Sequence, residues 1–159
     1  MTDRLLDIEN IGRIGQMFIS GDLLRDVLID PLTCDEDDTD YNIPVFNELK
    51  KTLSKIERLN PDLFLAGVLW QRYPANDRMA APAVVGRRLP AVGWGGWVIT
   101  DCTPKMAESI KNDVNTSFTH DDGRATYYFP IKTSAGDIAG VLELTEGWDR
   151  GPYEKIFTD

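Results

Sequence analysis

The segment 127–145 constrains the fold of this chain more than any other stretch, because its pattern is that of a β-hairpin. Two runs of alternating apolar residues flank the turn-like sequence Ser-Ala-Gly-Asp at 134–137. Such alternation is typical of strands that bury one face, and the Gly between them is a turn former. A hairpin at this position predicts an antiparallel sheet in the second half of the chain.

Two turns are compatible with the hairpin, and they pair its strands differently. A two-residue turn at Ala135-Gly136 gives one apolar face, made of Tyr127, Phe129, Ile131, Gly140, Leu142 and Leu144. The opposite face then holds Tyr128, Lys132, Val141 and Glu143. A three-residue turn at 134–136 instead places Tyr127, Phe129 and Ile131 beside Val141 and Glu143. We favour the first pairing because it gives an apolar face without any charged side chain. It leaves room at Gly140 for a helix, a ligand or another backbone.

The rest of the chain reads as helices followed by strands. Apolar spacing predicts a helix from Leu5 to Ile19 with Asp3 as its cap, and further helices over 22–29, from Pro44 to about residue 59, and from Pro104 to Val114. Strands are predicted over 63–72, 79–85 and 97–100, and within 117–133. This order predicts a single α+β domain on a central antiparallel sheet. We divide it into an N-terminal helical segment (1–30), an acidic loop (31–43) and the sheet domain (44–159).

Charge and hydropathy exclude several classes of partner. The 26 acidic residues outnumber the 17 basic ones, and the net charge of −9 opposes binding to nucleic acid or to anionic membranes. No stretch has the length of apolar sequence that a membrane span needs. The first ten residues lack the pattern of a signal peptide. We therefore leave open whether Met1 is a native cytoplasmic start or begins a piece of a larger protein.

Residues that carry metal or catalytic chemistry are scarce. Cys34, Cys102 and His120 are far apart in the sequence and lack the spacing of metal ligands, so we predict no metal and no cofactor. Whether the two cysteines pair stays open, with two separate thiols favoured. The acidic run 35–40 lacks the Gly and Glu of a calcium loop, and His120 lies in a turn-like sequence that favours exposure. We predict no catalytic residue. An undetected small enzyme around His120 or the acidic loop is the remaining alternative.

Aromatic residues and one arginine are the best candidates for a ligand site. Small-molecule pockets are usually apolar and aromatic, with a few placed polar groups, and an arginine can bind a carboxylate through two parallel hydrogen bonds. We predict Arg72 as the anion partner, and the other candidate ligand-binding residues are Trp70, Tyr73, Trp94, Trp97 and Tyr128. The alternative for each is structural: the tryptophans fill the core, and Arg72 extends to water along its apolar stem.

Four segments resemble a Cache domain, the PAS-like sensor module of chemoreceptors, histidine kinases and cyclic-dinucleotide enzymes. The helical segments 22–29 and 46–59, the latter followed by Asn60-Pro61, resemble its N-terminal helices. The sequence ANDRMAAPAVVGRRL at 75–89 resembles its hairpin-and-loop region, and GRATYYFPIKTSAGDIAGVLEL at 123–144 resembles its final strands. A GAF domain ends in a similar hairpin and is the second choice. The long N-terminal helical region favours Cache.

The resemblance implies a PAS-like sheet and a non-enzymatic sensor domain of a bacterial signal-transduction protein. It implies a small ligand, such as a carboxylate or an amino acid, held between the sheet and its loops, and a homodimer that signals through its terminal helices. It also implies an extracytoplasmic location in a membrane receptor whose spans lie outside this segment. The alternative is a cytoplasmic GAF or PAS-like module that dimerises or docks a partner without any ligand.

Overall fold

The computed structural model of the chain describes residues 6–27, 43–72, 79–85 and 100–147, and it shows helices packed on one antiparallel sheet. The helices are α1 (Ile8–Phe18), α2 (Gly21–Asp26), α3 (Ile43–Glu57) and α4 (Pro104–Asn112). The strands are β1 (Ala66–Arg72), β2 (Met79–Val85), β3 (Thr100–Asp101), β4 (Thr116–Thr119), β5 (Ala125–Lys132) and β6 (Ile138–Thr145). Their order in the sheet is β3-β2-β1-β6-β5-β4. The predicted α+β architecture is confirmed.

Side-chain caps decide where three of the helices begin. The carboxylate of Asp7 accepts from the backbone N–H of Asn10 at 2.9 Å and starts α1, while Ser20 starts α2 and Thr103 starts α4 in the same way. Such caps satisfy backbone donors that have no partner within the helix. The predicted cap, Asp3, lies outside the described residues, as do the end of the predicted helix 22–29 and residues 31–42 of the predicted acidic loop. The last residue assigned to that loop, Ile43, is instead the first residue of α3.

One face of the sheet is covered by α1, α2 and α3, and the main hydrophobic core lies between them. The largest side chains that are fully buried there are Ile11, Leu24, Leu49, Leu53, Leu65, Leu69, Phe129, Ile131, Leu142 and Leu144. Two glycines permit close packing: a Cβ at Gly12 would overlap the ring of Phe129, and one at Gly140 would overlap the carbonyl oxygen of Trp70 and crowd Leu24 of α2. The space predicted at Gly140 is thus taken by a neighbouring strand and a helix.

The opposite face packs against α4 and has a smaller core. Its buried members are Met106 and Ile110 from the helix and Tyr128 and Val141 from the sheet. Partly buried side chains surround them: Trp70, Cys102, Phe118 and Ile138. The two faces therefore differ in size and in polarity.

The hairpin of β5 and β6 pairs as we predicted but turns differently. Tyr127 pairs with Leu144, Phe129 with Leu142 and Ile131 with Gly140, which confirms the apolar face. The turn, however, is the three-residue one. The N–H of Thr133 donates to Asp137 O at 2.7 Å, and Gly136 adopts a φ of 93°. A bulge after Ile131 shifts the register by one residue and reconciles this turn with the observed pairing. Lys132, predicted beside Tyr128, lies beyond the bulge and is exposed.

Two predicted element ends were wrong, and one predicted strand lies partly outside the described residues. The strand predicted from residue 63 begins at Ala66, because Pro61–Leu63 forms a 3-10 turn and Phe64 follows it in the left-handed region with a φ of 50°. Val114 lies beyond α4 and is 41% exposed, because Asp113 ends the helix with a φ of 55°. β3 covers Thr100–Asp101, and residues 97–99 of the predicted strand lie outside the described ranges. Within those ranges no helix has the length and hydropathy that crossing a bilayer requires.

Candidate functional site

Two of the predicted site residues meet at an acidic side chain on the α4 face of the sheet. Tyr128 on β5 pairs with Glu143 on β6, and Trp70 on β1 pairs with the nearby Val141, so all three lie on this face. The indole Nε1–H of Trp70 donates to Glu143 Oε1 at 3.1 Å. The hydroxyl of Tyr128 lies near the same carboxyl group, and its interaction with Glu143 lowers the pKa of that carboxyl. Trp70 and Tyr128 are therefore the walls of a polar centre within an otherwise apolar layer.

The surroundings of Glu143 change its proton affinity. Burial raises the pKa of this carboxyl to about 7, and the hydrogen bonds from Trp70 and Tyr128 only partly oppose that shift. Burial also raises the pKa of Tyr128, and the nearby carboxyl of Glu143 adds to the effect. Glu143 therefore exchanges its proton near neutral pH, whereas Tyr128 stays protonated and remains a hydrogen-bond donor.

Tyr128, beside this carboxyl, is connected to the start of α4 by two hydrogen bonds. The hydroxyl of Thr103 donates to Tyr128 Oη at 3.0 Å. The same Thr103 Oγ1 accepts from the backbone N–H of Met106 at 3.3 Å, which is the N-cap bond of α4. Glu143, Tyr128 and Thr103 thus connect the middle of the sheet with the first turn of the helix that covers it.

Arg72, the predicted anion partner, lines a cleft at the end of β1. The cleft has a volume of about 270 Å³ and is bounded by Arg25, Gln71, Arg72, Thr133, Asp137, Ile138 and Ala139. Arg72 Nη1 donates to the carbonyl oxygen of Ile138 at 3.4 Å. Because Ile138 also packs in the α4-face cluster, the cleft adjoins that cluster.

Both signs of charge are present at this cleft. Arg25 on α2 forms an ion pair with Asp26 at 3.1 Å, and both side chains are more than half exposed. The hydrogen bond and charge of Asp26 raise the pKa of Arg25, with smaller contributions from Asp22 and Asp137. A ligand entering the cleft would therefore meet guanidinium groups and a carboxylate together.

All six predicted ligand-binding residues stay predictions, and three of them cannot be placed. Tyr73, Trp94 and Trp97 lie outside the described residues. Sequence reasoning missed Glu143 and Arg25. The sequence did contain an indication of Glu143. It is an acid within an apolar strand, between Leu142 and Leu144, and our preferred pairing placed it beside Tyr128. Arg25 carried no such signal, since the packing of α2 against the hairpin brings it to the cleft.

His120 lies on the same side of the sheet and is half-buried, not exposed as we expected. Its Nε2 is 2.6 Å from Thr126 Oγ1, which is in turn 2.7 Å from Thr145 Oγ1. Its ring also lies against Phe118, with centroids 4.6 Å apart. Among the described residues, no group of three or more His, Cys, Asp or Glu side chains could hold a metal ion. Cys34, and with it the question of a pair with Cys102, lies outside them.

Comparisons with known proteins give little beyond these observations. No family model matches the chain, and no curated protein matches it. One similar solved structure is the crystal structure of the A. aeolicus NLH2 GAF domain in an inactive state. It is 12% identical over 91% of this chain and 88% of that one, with a TM-score of 0.42. That structure belongs to our second-choice family and gives no support to Cache, our first. At this identity and TM-score the likeness supports no inference about ligand or function.

Proposed function

We propose that this chain is a non-enzymatic sensing domain of a bacterial signal-transduction protein, and that it binds a small carboxylate or amino acid at the cleft beside β1. The observation that carries the proposal is the convergence of Arg72 and Arg25, from a strand and a helix far apart in sequence, on one cleft of about 270 Å³. Two guanidinium groups offer paired donors to a carboxylate.

An amino acid suits the cleft better than a simple carboxylate. Its carboxylate would bind between the two arginines, and its ammonium group would bind the exposed carboxylate of Asp137. A ligand of both charges leaves neither kind of group unpaired, whereas a dicarboxylate would meet repulsion from Asp137. The apolar side chain of Ile138 would contact the rest of the ligand.

The position of the cleft suggests how binding would be transmitted. Its walls come from α2, β1 and the β5–β6 turn, and that turn already contacts α2 through the Ser134 N–H, which donates to Asp22 Oδ1 at 3.1 Å. A ligand held between these elements would favour one arrangement of α2 relative to the sheet. We propose that the N-terminal helices carry the signal within a homodimer, and that the domain is extracytoplasmic with membrane spans outside this chain.

A thermal-shift screen with amino acids, carboxylates and amines tests this function. A ligand at 100 times its Kd stabilises a protein by about 2.7 kcal/mol, and we expect an amino acid to give such a shift. Arg72→Ala should abolish it. Arg13→Ala, which removes an exposed arginine of α1, should leave it intact. Stabilisation by no compound, or an equal shift in Arg72→Ala, would contradict the proposal.

A second candidate function, docking of a second copy without any ligand, is favoured by one observation. Met17 and Phe18 at the end of α1 are 76% and 69% exposed, which is unusual for neighbouring large apolar residues. Light scattering that shows a dimer for the native chain and a monomer for Phe18→Ser, combined with a silent ligand screen, would favour this function over sensing.

A further inference from the structure

Glu143 has an unusual place for an acid, because it stands in the middle of a strand that is paired on both sides. β6 lies between β1 and β5, and the side chain of Glu143 contacts both neighbours through Trp70 and Tyr128. Over this face lies α4, with Met106 buried in the same cluster as Tyr128. The side chain of Glu143 is half-buried, held between two aromatic side chains on a central strand. An acid that needed only solvation would stand at an edge or in a turn, so this position calls for another explanation.

We propose that Glu143 is a proton-binding site, and that its ionisation is transmitted through Tyr128 and Thr103 to the first turn of α4. The domain would then respond to pH as well as to the ligand of the proposed function. The response to pH is independent of whether the cleft beside β1 binds an amino acid, because none of these three residues lines that cleft.

The direction of the hydrogen bonds explains how protonation of Glu143 would affect the N-cap bond of α4. When Glu143 is ionised it can only accept, so Tyr128 donates to it, and Tyr128 Oη accepts from Thr103 as observed. One lone pair of Thr103 Oγ1 is then available for the Met106 N–H. When Glu143 takes up a proton from water, its O–H can donate to Tyr128. Tyr128 can then donate to Thr103 Oγ1 and compete with the N-cap bond of α4.

Other titratable and charged groups on the surrounding elements could also respond to pH, and each has its own contacts. His120, directly after β4, is hydrogen-bonded to Thr126, and Cys102 lies near Tyr128 just before α4. On α4, Lys105 and Glu108 form an ion pair at 3.6 Å, with each side chain nearly half exposed. Arg72 on β1 donates to the carbonyl oxygen of Ile138. Histidine is the side-chain type most often used as a pH switch, so His120 needs its own control.

Nuclear magnetic resonance on the full chain can follow the proton and the helix separately. The side-chain carboxyl carbon of Glu143 reports the proton, and the amide nitrogen of Met106 reports the N-cap bond. In the native protein we expect both signals to change with one midpoint, near pH 7. Separate midpoints, or a Met106 signal that does not respond, would overturn the proposal without the need for any variant.

Three variants identify the route. In Tyr128→Phe, Glu143 should still titrate, while the response of Met106 falls to less than half. Tyr127→Phe, which removes a hydroxyl on the opposite face, and His120→Asn should both leave the Met106 response unchanged. An undiminished response in Tyr128→Phe would show that the proton acts by another route. Loss of the response in His120→Asn would assign it to the histidine.

Discussion

The two faces of the sheet show two different uses of buried surface. Toward α1, α2 and α3 the sheet presents large aliphatic and aromatic side chains, with glycines where the backbones come close. Toward α4 it presents a smaller apolar cluster that includes Tyr128. Trp70 packs against this cluster and donates a hydrogen bond to Glu143. The first face supplies most of the hydrophobic stabilisation. The second holds a half-buried acid between two aromatic side chains, which points to a role other than stability.

Removing one aromatic ring from each face should separate these roles. Phe129 is fully buried against α1, and Phe129→Ala should lower the free energy of unfolding by about 3–5 kcal/mol. Phe118 on the α4 face is half-buried, stacked at 6.1 Å from Tyr128, so Phe118→Ala should cost less than half as much. Denaturant unfolding measures both values. Equal losses would mean that the two faces contribute alike to stability.

Adding a methyl group tests the packing of the helix-covered face. Gly140→Ala should cost about 1–3 kcal/mol, because its Cβ would meet the backbone of β1, which cannot move as a flexible side chain can. Gly136→Asn is the control. Its surroundings are open, and asparagine tolerates the left-handed backbone that the φ of 93° requires. The same unfolding experiment should show little change for the control, and a well-tolerated Gly140→Ala would contradict the close packing.

The hairpin shows how far the sequence could predict this fold. Alternation with a period of two identified its apolar face correctly, because that face is buried and any slip would expose it. The turn was predicted wrongly, because the bulge beside Ile131 adds a residue that carries no signal of its own. Val114 continued the helical spacing, yet Asp113 ends α4 in a left-handed conformation that the spacing does not reveal.

The candidate site was less predictable than the fold for a physical reason. Trp70, Arg72 and Tyr128 were predicted as site residues because their residue types suit a pocket, but their partners in the structure were not predicted. Glu143 becomes half-buried beside Trp70 and Tyr128 only when the neighbouring strands pair with β6, and Arg25 reaches the cleft only when α2 docks on the sheet. Such effects depend on contacts between segments distant in sequence, which periodicity does not report.

The pH dependence of stability tests most directly whether the α4 face holds a proton-binding acid. Burial raises the pKa of Glu143 from 4.5 to about 7, so between those values the folded state binds more protons than the unfolded state. Stability should therefore fall as pH rises through this window, by up to roughly 1.4 kcal/mol per pH unit from this group. Glu143→Gln cannot titrate and should lack this component, whereas Glu108→Gln, on the exposed side of α4, should retain it. Unfolding free energies that diverge between the native protein and Glu143→Gln from pH 4.5 to 7 are the predicted result. Parallel curves for the two proteins would contradict the account.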